Sequence, residues 1–338
     1  MTNTSKSGFS WILLVVVAVL GLLFLTAVEG HCQTNPLPLG TVSNVQSVSS
    51  CLTGFASGAS CWTATVSCPP LPDIVVTFGI KGTATKGTVI FVNGDGGTLP
   101  YGQPYVAPYG NAGLSSVQLA FATSWELGGA SNLMQAACRP ATMMNYFYQP
   151  GVPYAVQSTS AGSGAVGYAF AWYGLAFEFK NWEAVVGPVF SDIVQGCEEP
   201  AAGVITVIPT NGLLFDDTPQ YVKESGFMTQ TTGYKCLQKS GFSSQAALAS
   251  WAAQEILAPG ATLSFPGTAI SSWVCNNGLN PSAAQAYLFF SQVATPWSMT
   301  AISNCVGAEG VGPGFTPQGV TGTAAITADM VLVMTGVK

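Results

Sequence analysis

From Gly87 to Met334 short apolar, β-branched runs alternate with segments of helical length, and this order constrains the fold more than any other feature of the chain. Gly87 to Val92, Val117 to Ala122 and Tyr154 to Gln157 read as strands, with Ala130 to Tyr148 as a helix between the last two. Ala161 to Leu175 then reads as a helix, Glu183 to Phe190 and Ala269 to Asn276 as strands, and Ala283 to Val293 as a helix. Met299 to Val306 follows as a strand and Thr323 to Met334 as a closing helix. Strands separated by helices lie parallel, and strands that are apolar on both sides need helices on both faces of their sheet. Two earlier runs, Trp62 to Cys68 and Ile74 to Ile80, are expected to join that sheet. The predicted fold class is therefore α/β, with a mainly parallel sheet.

The alternation lapses between 194 and 262, where mixed polar, Gly and Pro segments surround one convincing helix, Ser244 to Ile256. This stretch reads as a lid-like insertion after the sixth strand. Residues 31–59, rich in Asn, Pro, Ser, Gly and Thr, read as a linker or lead-in, which leaves 60–338 as the folded domain. No repeat is visible at any period of about 20 to 50 residues.

Residues 1–30 form a targeting segment. Lys6 precedes an apolar run from Trp11 to Val28 that meets no charge until Glu29. Its length falls between a long signal-peptide core and the ~20 residues that span a bilayer, so a cleaved signal and a retained membrane anchor both stay open. Val28 and Gly30 are small enough for cleavage before His31. Either way the chain is expected to be exported: secreted, periplasmic or at the cell surface. All nine cysteines lie beyond the segment, none in a C-x-x-C pair, and His31 is the single histidine, so disulfides rather than a metal site are expected. Cys197 with Cys236 and Cys275 with Cys305 are pairings suggested by proximity along the chain, and the odd count leaves one thiol over. A copper brace at His31 would need a second imidazole. With 7% charged residues and a net charge of -6, the chain lacks the basic surface that nucleic acid requires. No cofactor is implied.

The chemistry-bearing string is Tyr154-Ala-Val-Gln-Ser-Thr-Ser-Ala-Gly-Ser-Gly-Ala-Val-Gly-Tyr168, a strand that enters a turn of small residues and then a helix. Ser160 stands at its centre with Ser158 and Gly162 two residues to either side, in place of the glycines of G-x-S-x-G. Such a turn lifts a hydroxyl clear of the sheet and points the N–H of Ala161 toward a developing oxyanion at the helix N-terminus. Without that context the string is a Ser/Gly-rich loop. The strand at Gly87 to Val92 ends in Asn93-Gly-Asp-Gly-Gly97, where Gly94, Asp95 and Gly96 could supply a second oxyanion donor; read alone they are a tight turn.

On these residues, and on the order of strands around them, 60–338 resembles the α/β-hydrolase family of serine esterases and lipases. The resemblance implies a serine nucleophile at Ser160, a histidine after the last strand and a carboxylate that orients it. Here the sequence departs from the family, because the region after the last strand reads Asn304-Cys-Val-Gly-Ala-Glu-Gly310 and holds Glu309 instead of histidine. The preceding strand ends in Cys275-Asn-Asn-Gly-Leu-Asn280, without a carboxylate. Asp192 is the alternative acid, with a turn or cap residue as its bland reading. Three functions follow: an impaired or non-catalytic relative that binds a small-molecule or lipid-like ester; an ester hydrolase using Ser160 with a base such as Glu309; and a structural surface or filament protein. Asp216 and Asp217 read as loop residues, Arg139 as a helix anchor, and Trp125, Trp172, Tyr173 and Trp182 as core or pocket wall.

Overall fold

The computed structural model describes residues 36–127, 133–194, 203–208, 212–216, 249, 252–275, 283–302 and 320–336. In chain order it contains β1 (Thr41–Val48), β2 (Ser60–Ser67), β3 (Ile74–Lys81), β4 (Thr88–Val92), α1 (Gln103–Asn111), β5 (Ser115–Phe121), α2 (Leu133–Ala136), α3 (Cys138–Phe147), β6 (Tyr154–Thr159) and α4 (Ala161–Ala171). After these come β7 (Asn181–Val185), β8 (Gly203–Ile208), β9 (Gly212–Asp216), β10 (Ala269–Cys275), α5 (Ala283–Gln292), β11 (Trp297–Ile302) and α6 (Val320–Thr335). One nine-stranded sheet runs β1-β2-β3-β5-β4-β6-β7-β10-β11, while β8 and β9 form a separate antiparallel hairpin. Pairing is antiparallel from β1 to β5 and parallel from β5 to β11, so the mainly parallel sheet expected from the alternation is present.

The two faces have different cores. Val156, Trp182 and Ala184 point toward α3 and α4 and join the large cluster that holds Ala165, Val166 and Phe170. Val89, Phe91 and Ala155 point the other way, against Tyr109 of α1 and Met330 of α6. Burial on both faces explains why these strands lack a polar side in the sequence.

Three boundaries depart from expectation. Residues 41–48, read as part of a lead-in, form β1 and pair with β2; the strand is mostly exposed, so it carries no apolar alternation. The helix expected over 130–148 is broken into α2 and α3, because Pro140 has no N–H to donate to Ala136 O and its ring crowds that carbonyl. β7 ends at Val185 rather than Phe190, since Val186 turns to φ 54° and leaves the extended region. Helix α1 carries Pro108 within it, which hid it from a reading by propensity. Most of the predicted 244–256 helix lies outside the described residues.

Two disulfides, Cys51–Cys61 and Cys68–Cys138, tie β2 to the segment after β1 and to α3. The pairings suggested for Cys197, Cys236, Cys275 and Cys305 involve side chains outside the described residues. Arg139 is buried in α3 and donates to the carbonyls of Trp125 (3.2 Å), Leu127 and Pro72 (2.7 Å), an anchor for two loops. Trp125 and Trp182 are fully buried, Tyr173 nearly so, and the half-buried Trp172 donates its indole N–H to Ile256 O. Asp217 and the side chain of Asp216 fall outside the described residues.

Candidate functional site

Ser160 occupies the crossover from β6 into α4, with φ 51° and ψ -123°. A serine with a left-handed φ costs roughly 1–3 kcal/mol and persists only when the surroundings enforce it. They do so here through the backbone: Ser160 N–H donates to Val185 O at 3.0 Å, and Ser160 O accepts from Ser163 N at 2.8 Å and Gly164 N at 3.2 Å. The last two bonds open α4, which leaves the N–H groups of Ala161 and Gly162 among the first-turn donors that no helical carbonyl satisfies.

The small residues flanking Ser160 have distinct physical reasons. A Cβ on Gly162 would lie 2.3 Å from Val92 O and 2.6 Å from Asn93 O, so α4 can start this close to the end of β4 only with glycine there. At Ser158 a side chain is accommodated because its hydroxyl is used. It accepts from Trp182 Nε1 at 2.8 Å and donates to Ser163 Oγ at 3.0 Å.

The glycine-rich turn after β4 packs directly against the serine. A Cβ on Gly94 would stand 3.0 Å from Ser160 Cβ and 3.6 Å from its Oγ. Gly96 sits at φ 63° against Ser124, and its carbonyl accepts from Trp125 N at 2.9 Å. Ser160, Ala161, Gly94 and Gly96 are thus brought to one place, and the backbone of Asp95 lies in the same turn. Ser160 is 1% exposed, and its Oγ has no hydrogen-bond partner among the described residues.

The remaining two candidates are placed otherwise. Glu309 lies outside the described residues. Asp192 follows β7 and is bound through its backbone to Gln285, with Asp192 N to Oε1 at 2.7 Å and Nε2 to Asp192 O at 2.9 Å. Its carboxyl group meets that of Glu255, whose pKa is pushed up to about 8, chiefly by burial and further by Asp192, against the opposing N–H of Val194.

A second buried acid was not anticipated. Glu183 on β7 is fully buried and accepts from Asn181 Nδ2 at 2.6 Å and from Trp273 Nε1. Its side chain also hydrogen-bonds to Asp329 of α6, and burial holds its pKa well above the carboxylate range. The available sign was polarity in the wrong place: Gln157 and Glu183 are long polar side chains in fully buried central strands and are direct cross-strand partners. Among the described residues no group of three or more His, Cys, Asp or Glu side chains could hold a metal.

No protein-family model matches the chain, and no curated protein matches it in sequence. Solved structures do match. Acetyl xylan esterase 1 from Thermoanaerobacterium sp. superposes with TM-score 0.51 at 10% identity, over 89% of this chain and 96% of its own. An acetyl xylan esterase from Paenibacillus sp. R4 gives TM-score 0.51 at 11% identity over 98% and 96%. The mouse α/β hydrolase domain-containing protein 10 gives 0.50 at 8% identity over 82% and 99%. Identities this low carry architecture only.

Proposed function

This chain has the α/β-hydrolase fold, and from that premise we propose that it is an exported relative of the ester hydrolases that holds a carbonyl compound at Ser160 without efficient turnover. The observation that carries this reading is the serine itself, held in the left-handed elbow with a buried hydroxyl that has no hydrogen-bond partner among the described residues. The N–H of Ala161 and the Gly94-Asp95-Gly96 turn would polarise the bound carbonyl, as preorganised donors do. What the sequence lacks is the histidine that the family carries after its last strand. His31 is its single histidine and precedes the whole sheet, whereas the family's histidine follows the last strand. Loss of that group costs a serine triad several orders of magnitude in rate. Export is supported by the apolar run at 11–28 and by the two disulfides, which persist in oxidising compartments.

The test uses a fluorophosphonate, which reports an activated serine, beside a trifluoromethyl ketone analogue of an acetyl ester, which reports binding. The folded protein should remain unlabelled over hours yet bind the ketone, and Ser160→Ala should weaken that binding at least about tenfold. Absence of ketone binding sinks the proposal. Rapid labelling that disappears in Ser160→Ala would instead establish the second reading, an active ester hydrolase with an unusual base such as Glu309. That reading is favoured by the retained strain at φ 51°, which a purely structural turn would have relaxed with glycine. The third, a structural protein built of β repeats, finds no support in a sheet of this order.

A further inference from the structure

The surface opposite the elbow carries a cavity of about 480 Å³, within the range of small-molecule sites. It exists because α3 is short. A ten-residue helix spans only about 15 Å, and α3 ends at Phe147 before it has covered the strands beneath it. The sheet supplies the floor through Trp62, Phe78, Thr88, Ser115 and Tyr154, while Tyr146, Phe147 and Gln149 at the end of α3 form a wall. Thr88, Ser115 and Tyr154 are the first residues of β4, β5 and β6, whereas Ser160 follows the last residue of β6. Six residues of strand, roughly 20 Å at 3.3 Å per residue, separate the two places.

We propose that this cavity is a binding site for an uncharged sugar ring, independent of Ser160. Three features of the lining select that chemistry. The first is an aromatic wall: Trp62 stacks on Phe78 with centroids 5.5 Å apart, Phe147 meets Phe78 edge-on at 5.1 Å, and Tyr146, 42% exposed, stands 6.2 Å from Phe78 at the mouth. Such rings offer flat apolar faces to the C–H face of a pyranose.

The second is a surplus hydroxyl. Thr88 Oγ1 and Ser115 Oγ are 2.8 Å apart, and Tyr154 hydrogen-bonds to Thr88, so three hydroxyl groups share two bonds. Three hydrogens cannot all be placed in two bonds, so one O–H of this row is available to a partner outside it. A hydrocarbon ring would leave that donor, and the amide of Gln149, without a partner, at a cost that hydroxyl-bearing ligands avoid. The third feature is that among the described residues no Asp, Glu, Lys or Arg lines the cavity, so an ionic ligand would meet no countercharge from them.

Calorimetric titration of the full chain with xylobiose, cellobiose and maltose tests the site, with phenol and galacturonic acid as the comparison ligands. Saturable binding of at least one neutral disaccharide is expected, with none for galacturonic acid. Tyr146→Ala, at the mouth and partly exposed, should weaken binding about tenfold while the protein still unfolds cooperatively, with at most a modest loss of melting temperature from its contacts with Phe78 and Phe147. Ser160→Ala should leave the affinity within about twofold. Phenol as the sole ligand would mark a merely apolar hole and overturn the proposal. So would failure of every saccharide to saturate, or loss of sugar binding in Ser160→Ala, which would place the sugar at the elbow.

Discussion

Ser160 and the glycines around it show how much of a reactive turn depends on atoms that are not there. A methyl group at residue 162 would press on two carbonyl oxygens of the β4 terminus. Gly162→Ala is therefore expected to destabilise the protein by about 3 kcal/mol, the upper end of overpacking costs, as read from urea unfolding. Gly110, in α1 with nothing within 4 Å of a Cβ, is the contrasting case. Gly110→Ala should stabilise by roughly 0.5–1 kcal/mol, because alanine loses less backbone freedom in a helix. Of the candidate residues, Ser160, Ala161, Gly94 and Gly96 were legible in the sequence because the elbow and the glycine turn are contiguous strings whose backbone demands show in composition. The pairing of Asp192 with Glu255 was not, since no local pattern relates the two positions.

Among the elements, α6 is held to the sheet by chemistry that depends on protons. Its Asp329 accepts from Ser271 Oγ on β10 and hydrogen-bonds to Glu183 on β7, and Tyr109 of α1 and Tyr101 are the other titratable groups near Glu183. Two carboxyl groups in hydrogen-bond contact need a shared proton, because both cannot ionise at that distance without strong repulsion. Folding raises the pKa of Glu183, so the stabilisation is complete below its unfolded value and is lost as pH rises through the folded one. The protection factors of the α6 amides, which are corrected for the base-catalysed rise in intrinsic exchange, should fall at alkaline pH, and Asp329→Asn should lessen that fall. A different constraint acts on α3. The Cys68–Cys138 bridge closes a separation of 70 residues, and its removal as Cys68→Ala with Cys138→Ala should cost roughly 4 kcal/mol in denaturant unfolding. Element identities followed from pattern wherever a strand was buried on both faces. β1 and α1 escaped because an exposed edge strand and a proline-bearing helix have little periodicity to show.

For the molecule as a whole, the buried acids set how stability varies with pH. Burial lifts Glu178 to about 7 and Glu255 to about 8, both above the value that the unfolded chain would show. Each then binds its proton more tightly when folded, so stability is fullest below about pH 4.5 and falls as pH rises through 7 and 8. The melting temperature should drop between pH 5 and pH 9, and Glu178→Gln with Glu255→Gln should flatten that slope; a melting temperature that rises over this interval would refute the sign. The succession of strands and helices and the elbow were written in contiguous residues, where periodicity and small-residue spacing report local backbone geometry directly. The course of β1 along β2, the carboxyl pairs, the packing of Gly94 on Ser160 and the cavity beneath α3 belong to the folded arrangement alone. Each arises from groups distant in the chain that meet only when the sheet is assembled, and no short-range pattern encodes such a meeting.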